Sequence, residues 1–178
     1  MERLLYPISE KTFKENVRIR FDNINEGFNS FNHELIEGKN EAELIEYIIN
    51  SYDENGFDNF YIDLYFNRID KSNETQFIDI LCEEDKITYE NIKKEYDDST
   101  VYYKIDKSLI PFITRLNTRE ILFTTIYLTK TNKTIWGNYE MKFPIFYEWW
   151  KKQSYLALKI SIKALFFYII KLYKEARI

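Results

Sequence analysis

Hydrophobic positions repeat with the period of an α-helix in several parts of the chain. The clearest example is "EAELIEYIINSY", where four leucines and isoleucines share one face, Asn40 supplies an N-cap and Gly56 follows as a turn. A short helix is predicted after Thr88, where two tyrosines and an isoleucine are spaced to bury one stripe. A third begins near Ser108 with Pro111 in its first turn and runs through "FITRLN".

Other segments alternate between apolar and polar residues, as a half-buried β-strand does. The run "FYIDLYFNRI" alternates throughout, and "TQFIDILCE" is predicted to return beside it as an antiparallel hairpin over residues 58–82. A short strand is predicted in "STVYYKID". The segments "EILFTTIYLTK", "NKTIWGNYE" and "KFPIFYE" are predicted to form a strand meander.

The two ends of the chain have helical patterns with an alternative. Ser9 or Thr12 can cap an opening helix that runs to about Asn23, although alternation near its end leaves a strand possible. The last thirty or so residues, from "EWWKKQ", predict one long helix with a basic outer stripe. Alternation over residues 156–163 leaves a strand possible there. The longest uncharged run of this C-terminal segment, "ALFFYII", is far shorter than the ~20 residues that span a bilayer, so no membrane partner is expected. A helix that lies at the membrane interface is the alternative to one that packs on the core.

These elements predict an α+β fold in a single domain, residues 1–178, with N-terminal helices, a central antiparallel sheet of hairpin plus meander, and a long C-terminal helix. The composition, 45% hydrophobic and 18% aromatic, is sufficient for one buried core. The only cysteine, Cys82, cannot form an internal disulfide, and the first residues lack a signal-peptide pattern. We therefore expect a cytoplasmic protein.

Few types of active site are compatible with this sequence. One histidine, His33, and one cysteine cannot supply a zinc site, and no motif frames either residue as part of a catalytic triad. The four glycines are too scattered for a phosphate-binding loop. Clustered carboxylates leave a magnesium site possible, but their spacing does not require one. We expect no enzyme activity, no cofactor and no bound metal.

Charge is distributed unevenly along the chain. Residues 1–100 carry a balance of −13 and residues 101–178 a balance of +9. The segment "CEEDKITYENIKKEYDDS" holds seven acids and three lysines, and its apolar residues are expected to anchor it while its carboxylates face outward. An exposed acidic rim adds little stability, so its expected use is to steer and hold a basic partner.

Fifteen tyrosines, many beside acids, add to this interpretation because tyrosine is favoured at protein interfaces. The block "RLNTREILFTTIYLTKTNKTIWGNYEMKFPIFYEWW", from Arg115 to Trp150, resembles bacterial immunity proteins of polymorphic toxins, including those of contact-dependent growth inhibition. That resemblance implies a cytoplasmic protein that binds and neutralises one cognate toxin, often a nuclease. It assigns no contact residues.

The first hypothesis is therefore an immunity protein that occludes a basic, nuclease-type toxin. A phage-encoded antagonist of a host defence protein, or another non-catalytic binding subunit, is the first alternative. The second is a carboxylate-dependent enzyme, or a nucleic-acid binder using the basic C-terminal face; on the first hypothesis no nucleic acid is expected as a partner. The predicted partner-binding residues are Glu83, Glu84, Asp85, Glu90, Asp97, Asp98, Tyr61 and Tyr65.

Overall fold

The computed structural model describes residues 3–69, 72–138 and 140–148. That part of the chain contains seven β-strands and six α-helices. The strands are β1 (Leu5–Ile8), β2 (Asn32–Glu37), β3 (Phe60–Asp63), β4 (Tyr102–Ile105), β5 (Thr125–Leu128), β6 (Lys133–Trp136) and β7 (Lys142–Tyr147). The helices are α1 (Glu10–Asn16), α2 (Ile24–Ser30), α3 (Glu41–Asn55), α4 (Glu74–Ile80), α5 (Glu83–Ile92) and α6 (Ile110–Thr118).

All seven strands form one antiparallel sheet in the order β1-β4-β3-β5-β6-β7-β2. Strand β3 lies between β4 and β5, with Ile62 opposite Tyr103 on one side and Ile126 on the other. Strands β5, β6 and β7 are the predicted meander. The fold is α+β, as predicted, and Met1–Tyr147 form one compact unit.

One face of the sheet forms the main core with helices α3 to α6. Leu44 and Ile48 of α3 and Leu116 of α6 are buried there together with Ile62 of β3. Burying a side chain of this size stabilises the fold by about 1.5–3 kcal/mol. Helix α6 is the most enclosed, because seven of its nine residues are buried.

The opposite face of the sheet is covered by α1 and by the segment that follows it. Phe13 of α1 stacks on Tyr102 with ring centroids 3.7 Å apart. After α1 the chain is extended, and Val17, Ile19 and Phe21 are buried while the arginines between them are exposed. This alternation packs the segment against the sheet without adding a strand to it.

Several local predictions are confirmed. Asn40 caps α3 by accepting a hydrogen bond from the Glu43 amide at 3.0 Å, and Gly56 ends the helix with φ +78°. Helix α6 begins with a proline in its first turn. Ser9 caps α1, but that helix ends at Asn16 rather than near Asn23.

The hairpin prediction is wrong. Strand β3 has four residues instead of ten, and "TQFIDILCE" is mainly helix α4, so β3 pairs with β4 and β5. The helix is favoured because Phe77 and Leu81, four residues apart, are both buried in the main core, whereas Asp79 and Ile80 face solvent. The predicted C-terminal helix lies outside the described residues. The single domain over residues 1–178 therefore stays a prediction.

Candidate functional site

Helix α5 carries most of the predicted acidic surface. Glu83 and Glu84 lie in its first turn, where acids interact favourably with the helix dipole, and both are exposed, as is Glu90. Tyr89 and Ile92 are buried and hold the helix against the main core, as predicted, but the helix begins at Glu83 rather than after Thr88. The helix therefore presents three carboxylates to solvent.

Asp85 does not belong to that exposed surface, and its predicted role as an outward-facing contact is wrong. Its side chain is 1% exposed and accepts hydrogen bonds from Arg115 Nε at 2.9 Å to each carboxylate oxygen. Cys82 Sγ donates to the same carboxylate at 3.1 Å. Asp85 lies four residues before Tyr89, so it shares the buried side of α5 and contributes to the fold instead of to partner binding.

Two isoleucines are exposed beside the acids of α5. Ile80, the last residue of α4, is 59% exposed, and Ile87 of α5 is 67% exposed. Only Leu81 and Cys82 separate the two helices. We call the exposed residues Asp79, Ile80, Glu83, Glu84, Ile87 and Glu90 the α4–α5 surface.

Asp97 and Asp98 lie beyond α5, in the turn that leads to β4. Asp97 accepts a hydrogen bond from the Ser99 amide at 2.9 Å. Hydrogen bonding by the Ser99 side chain and then by its amide lowers the pKa of the Asp97 carboxyl, which gives this residue a local structural role. Asp98 lines a shallow cavity of 360 Å³ with Tyr65 and Tyr102. The structure thus associates Asp98 with Tyr65, outside the α4–α5 surface.

The two predicted tyrosines differ in accessibility. Tyr61 is 4% exposed and packs against Phe13, so the prediction that it contacts a partner is wrong. Its place on the polar side of the alternation had suggested exposure, but α1 covers that face of the sheet. Tyr65 is half-buried, and the Arg68 guanidinium lies 4.1 Å above its ring centroid.

Tyr65 belongs to a cleft of 530 Å³ on the face of the sheet that α1 covers. We call it the Asp63 cleft. Its charged lining comprises Lys14, Arg20, Asp22, Glu26, Asp63 and Arg68. Its aromatic lining comprises Phe13, Phe21, Tyr65, Tyr102, Tyr127 and Trp136.

Asp63, at the end of β3, is the most perturbed acid of the cleft. It is 5% exposed and accepts hydrogen bonds from the Thr125 amide, from the Tyr127 hydroxyl at 3.0 Å and from the Tyr65 hydroxyl at 3.5 Å. Burial nevertheless dominates and raises the pKa of the Asp63 carboxyl to about 6. Burial and the neighbouring Asp63 charge also raise the pKa of Tyr127.

Sequence reasoning missed Asp63, although a signal was present. It is the one charged residue in the "FYIDLYF" run, and its alternation places it on the same face as Tyr61. The alternation predicts that this face is solvated, whereas α1 and the extended segment after it cover the sheet there. A single acid within a strand of aromatic and aliphatic residues was the signal that could have identified Asp63.

The described residues show neither a metal centre nor a membrane span. No group of three or more His, Cys, Asp or Glu side chains among them is arranged to hold a metal ion. None of the helices in residues 3–69, 72–138 and 140–148 has the length and apolarity needed to cross a bilayer. No family model, curated protein or solved structure matches the chain.

Proposed function

We propose that this chain is an inhibitor of the immunity-protein type, which binds a basic protein toxin through the α4–α5 surface and blocks it by occlusion. The main support for this proposal is that two isoleucines are exposed among surface acids: Ile80 is 59% exposed and Ile87 is 67% exposed. An apolar centre within a charged rim is the usual anatomy of a protein interface. We propose that the protein binds this toxin in the cytoplasm.

The negative charge of the α4–α5 surface indicates that the partner carries positive charge. Lys86 is the only base between residues 74 and 90, and it is already paired with Glu83 at 2.8 Å. Asp79 lies near Lys86, Glu90 lies near Lys93, and Glu84 lies 3.4 Å from Arg115. The six residues of the α4–α5 surface nevertheless include four acids and no base. Such a surface attracts a basic partner and rejects an acidic one. Nucleases fit this requirement because their substrate-binding sites must neutralise phosphates.

The first experiment identifies and tests the partner. The full-length chain is co-expressed with the product of the adjacent reading frame, and the two are purified together. Support requires both a stable complex and loss of the partner's toxic activity at equimolar inhibitor. A complex that forms without loss of activity would instead indicate the non-catalytic binding subunit.

The second experiment tests the surface through charge reversal. Asp79→Lys, Glu83→Lys and Glu90→Lys are combined, whereas Glu84 is kept because a lysine there would lie beside Arg115. Association should slow about tenfold or more at low salt, and the difference should shrink as salt screens the surface charges. Circular dichroism checks that the variant is folded.

A charge-matched control separates this surface from a general field effect. Glu34, Glu46 and Glu54 are exposed acids on β2 and α3, and their combined reversal changes the net charge equally. The control should retain most of the wild-type association rate. If the two triple variants slow association equally, or if neither does, the α4–α5 surface is not the interface.

A further inference from the structure

The Asp63 cleft lies in the part of the chain that the proposed inhibition does not use. It adjoins a second cavity of 480 Å³ that shares Asp63, Tyr65, Arg68 and Trp136 and extends towards Asn138. Each volume falls within the ~300–1,000 Å³ typical of small-molecule sites. Cations, aromatic rings, the exposed carboxylates of Asp22 and Glu26 and the buried carboxylate of Asp63 line this cleft, which suggests a ligand with several different chemical groups.

Arg20 and Arg68 provide the site for an anionic group. Both are exposed, and neither has a carboxylate within ion-pair distance among the described residues. Arg20 donates one hydrogen bond, to the Val17 carbonyl oxygen. A guanidinium has five N–H donors, so most of the donors of both arginines remain available, and their geometry suits a phosphate.

Aromatic rings provide surfaces for a planar group. Tyr65 lies beneath Arg68, and Trp136 stacks with Phe21 at a centroid separation of 5.2 Å and an interplanar angle of 14°. These residues line the same cleft as the two arginines. A nucleic-acid base stacks on such rings whatever its sequence, because every base has a π-face.

Asp63 provides an acceptor inside the cleft. A carboxylate offers about four lone-pair sites, and the hydrogen bond from Tyr65, at 3.5 Å, is the longest of those it accepts. A donor on a ligand can therefore replace Tyr65 without disturbing the closer bond from Tyr127. The exocyclic amines and ring N–H groups of bases are donors of this kind.

We propose that the Asp63 cleft binds a mononucleotide, with its phosphate on Arg20 and Arg68, its base against the Tyr65 and Trp136 rings, and a base N–H donated to Asp63. A purely anionic ligand would leave the aromatic surfaces and Asp63 unused. A cationic ligand would face both arginines. This proposal is independent of the inhibition proposed above.

The test is isothermal titration calorimetry of the full-length chain at low salt. The probes are AMP, GMP, CMP, UMP and inorganic phosphate. At least one nucleotide should bind saturably with one site per chain and more tightly than phosphate. Arg20→Gln and Arg68→Gln should each weaken it about tenfold or more, because each removes a charge-assisted hydrogen bond.

The matched control is Arg3→Gln. Arg3 is also exposed and lies over a tyrosine ring, Tyr6, at 5.4 Å, but it does not line the cleft. It should retain wild-type affinity. Asp63→Asn should change the ranking among the four nucleotides, since the acceptor for the base is altered.

Three results would overturn the proposal. The first is that no nucleotide binds saturably. In the second, phosphate binds as tightly as every nucleotide, which would indicate a plain anion site. In the third, the variants Arg68→Gln and Arg20→Gln bind the nucleotide as tightly as the control variant Arg3→Gln does. Because both cleft arginines are exposed, these variants should fold, and near-ultraviolet circular dichroism verifies it.

Discussion

Replacing Asp85 by Asn should destabilise the fold, because Asp85 is one half of a buried ion pair. The side chain of Arg115 is only 11% exposed, and its Nε donates to both carboxylate oxygens. Asn retains the shape and one acceptor but removes the charge. Arg115 then remains buried beside a neutral partner.

The size of the effect follows from the surroundings of the pair. Removing one partner of a buried ion pair costs about 3–5 kcal/mol of unfolding free energy. Glu84 Oε1 lies 3.4 Å from Arg115 Nη2 and partly compensates the stranded cation. We therefore expect the lower end, about 3 kcal/mol, which lowers the melting temperature of a chain of this size by about 6–12 °C.

Urea unfolding followed by circular dichroism measures the change. The control is Glu83→Gln, which removes an exposed pair with Lys86 and should change the unfolding free energy far less than Asp85→Asn does. The double variant Asp85→Leu/Arg115→Met should regain much of the stability lost in Asp85→Asn, because apolar residues can replace a buried pair. Equal stability of Asp85→Asn and Glu83→Gln would refute the burial of Asp85.

Three further predictions concern other parts of the molecule. Burial raises the pKa of Asp63 from 3.8 to about 6, so the stability that this group contributes is fully present below 3.8 and is lost as pH rises through about 6. Asp63→Asn should remove that loss, about 3 kcal/mol, which is measured by comparing the unfolding free energies of variant and wild type at about pH 3 and about pH 7. Gly137→Ala should lower the unfolding free energy by about 2 kcal/mol or more in thermal or urea unfolding, because its Cβ would lie 2.1 Å from the Thr124 carbonyl oxygen. The combined change His33→Ala and Cys82→Ser should leave toxin neutralisation within a few-fold of wild type; a loss in folded protein would contradict the non-catalytic proposal.

Elements with local signals were predicted from the sequence. Helix α3 has its cap, its apolar face and its terminating glycine within seventeen consecutive residues, Asn40 to Gly56. The meander β5–β6–β7 pairs neighbours in the chain, so alternation and turn residues were sufficient. These signals depend on a few nearby residues and need no knowledge of the rest of the fold.

Elements that depend on distant partners were not predicted. Strand β1 pairs with β4 about a hundred residues later, and β2 pairs with β7 at a similar separation. In α4 the pattern of Phe77, Asp79 and Leu81 fits a strand as well as a helix, and only packing in the main core distinguishes them. Asp85 was misassigned for the same reason, because its partner Arg115 lies thirty residues away.

The two proposed surfaces are on opposite faces of the sheet, and β3 shows why. Its alternation places Ile62 in the main core, the cluster that also contains Tyr89 and Ile92 of α5, whereas Asp63 faces the side that α1 covers. A substitution at an exposed residue of α5 therefore has a packed sheet between it and the cleft. Because well-separated sites with no shared partners act almost independently, the α4–α5 variants should leave nucleotide affinity unchanged, and the cleft variants should leave toxin association unchanged.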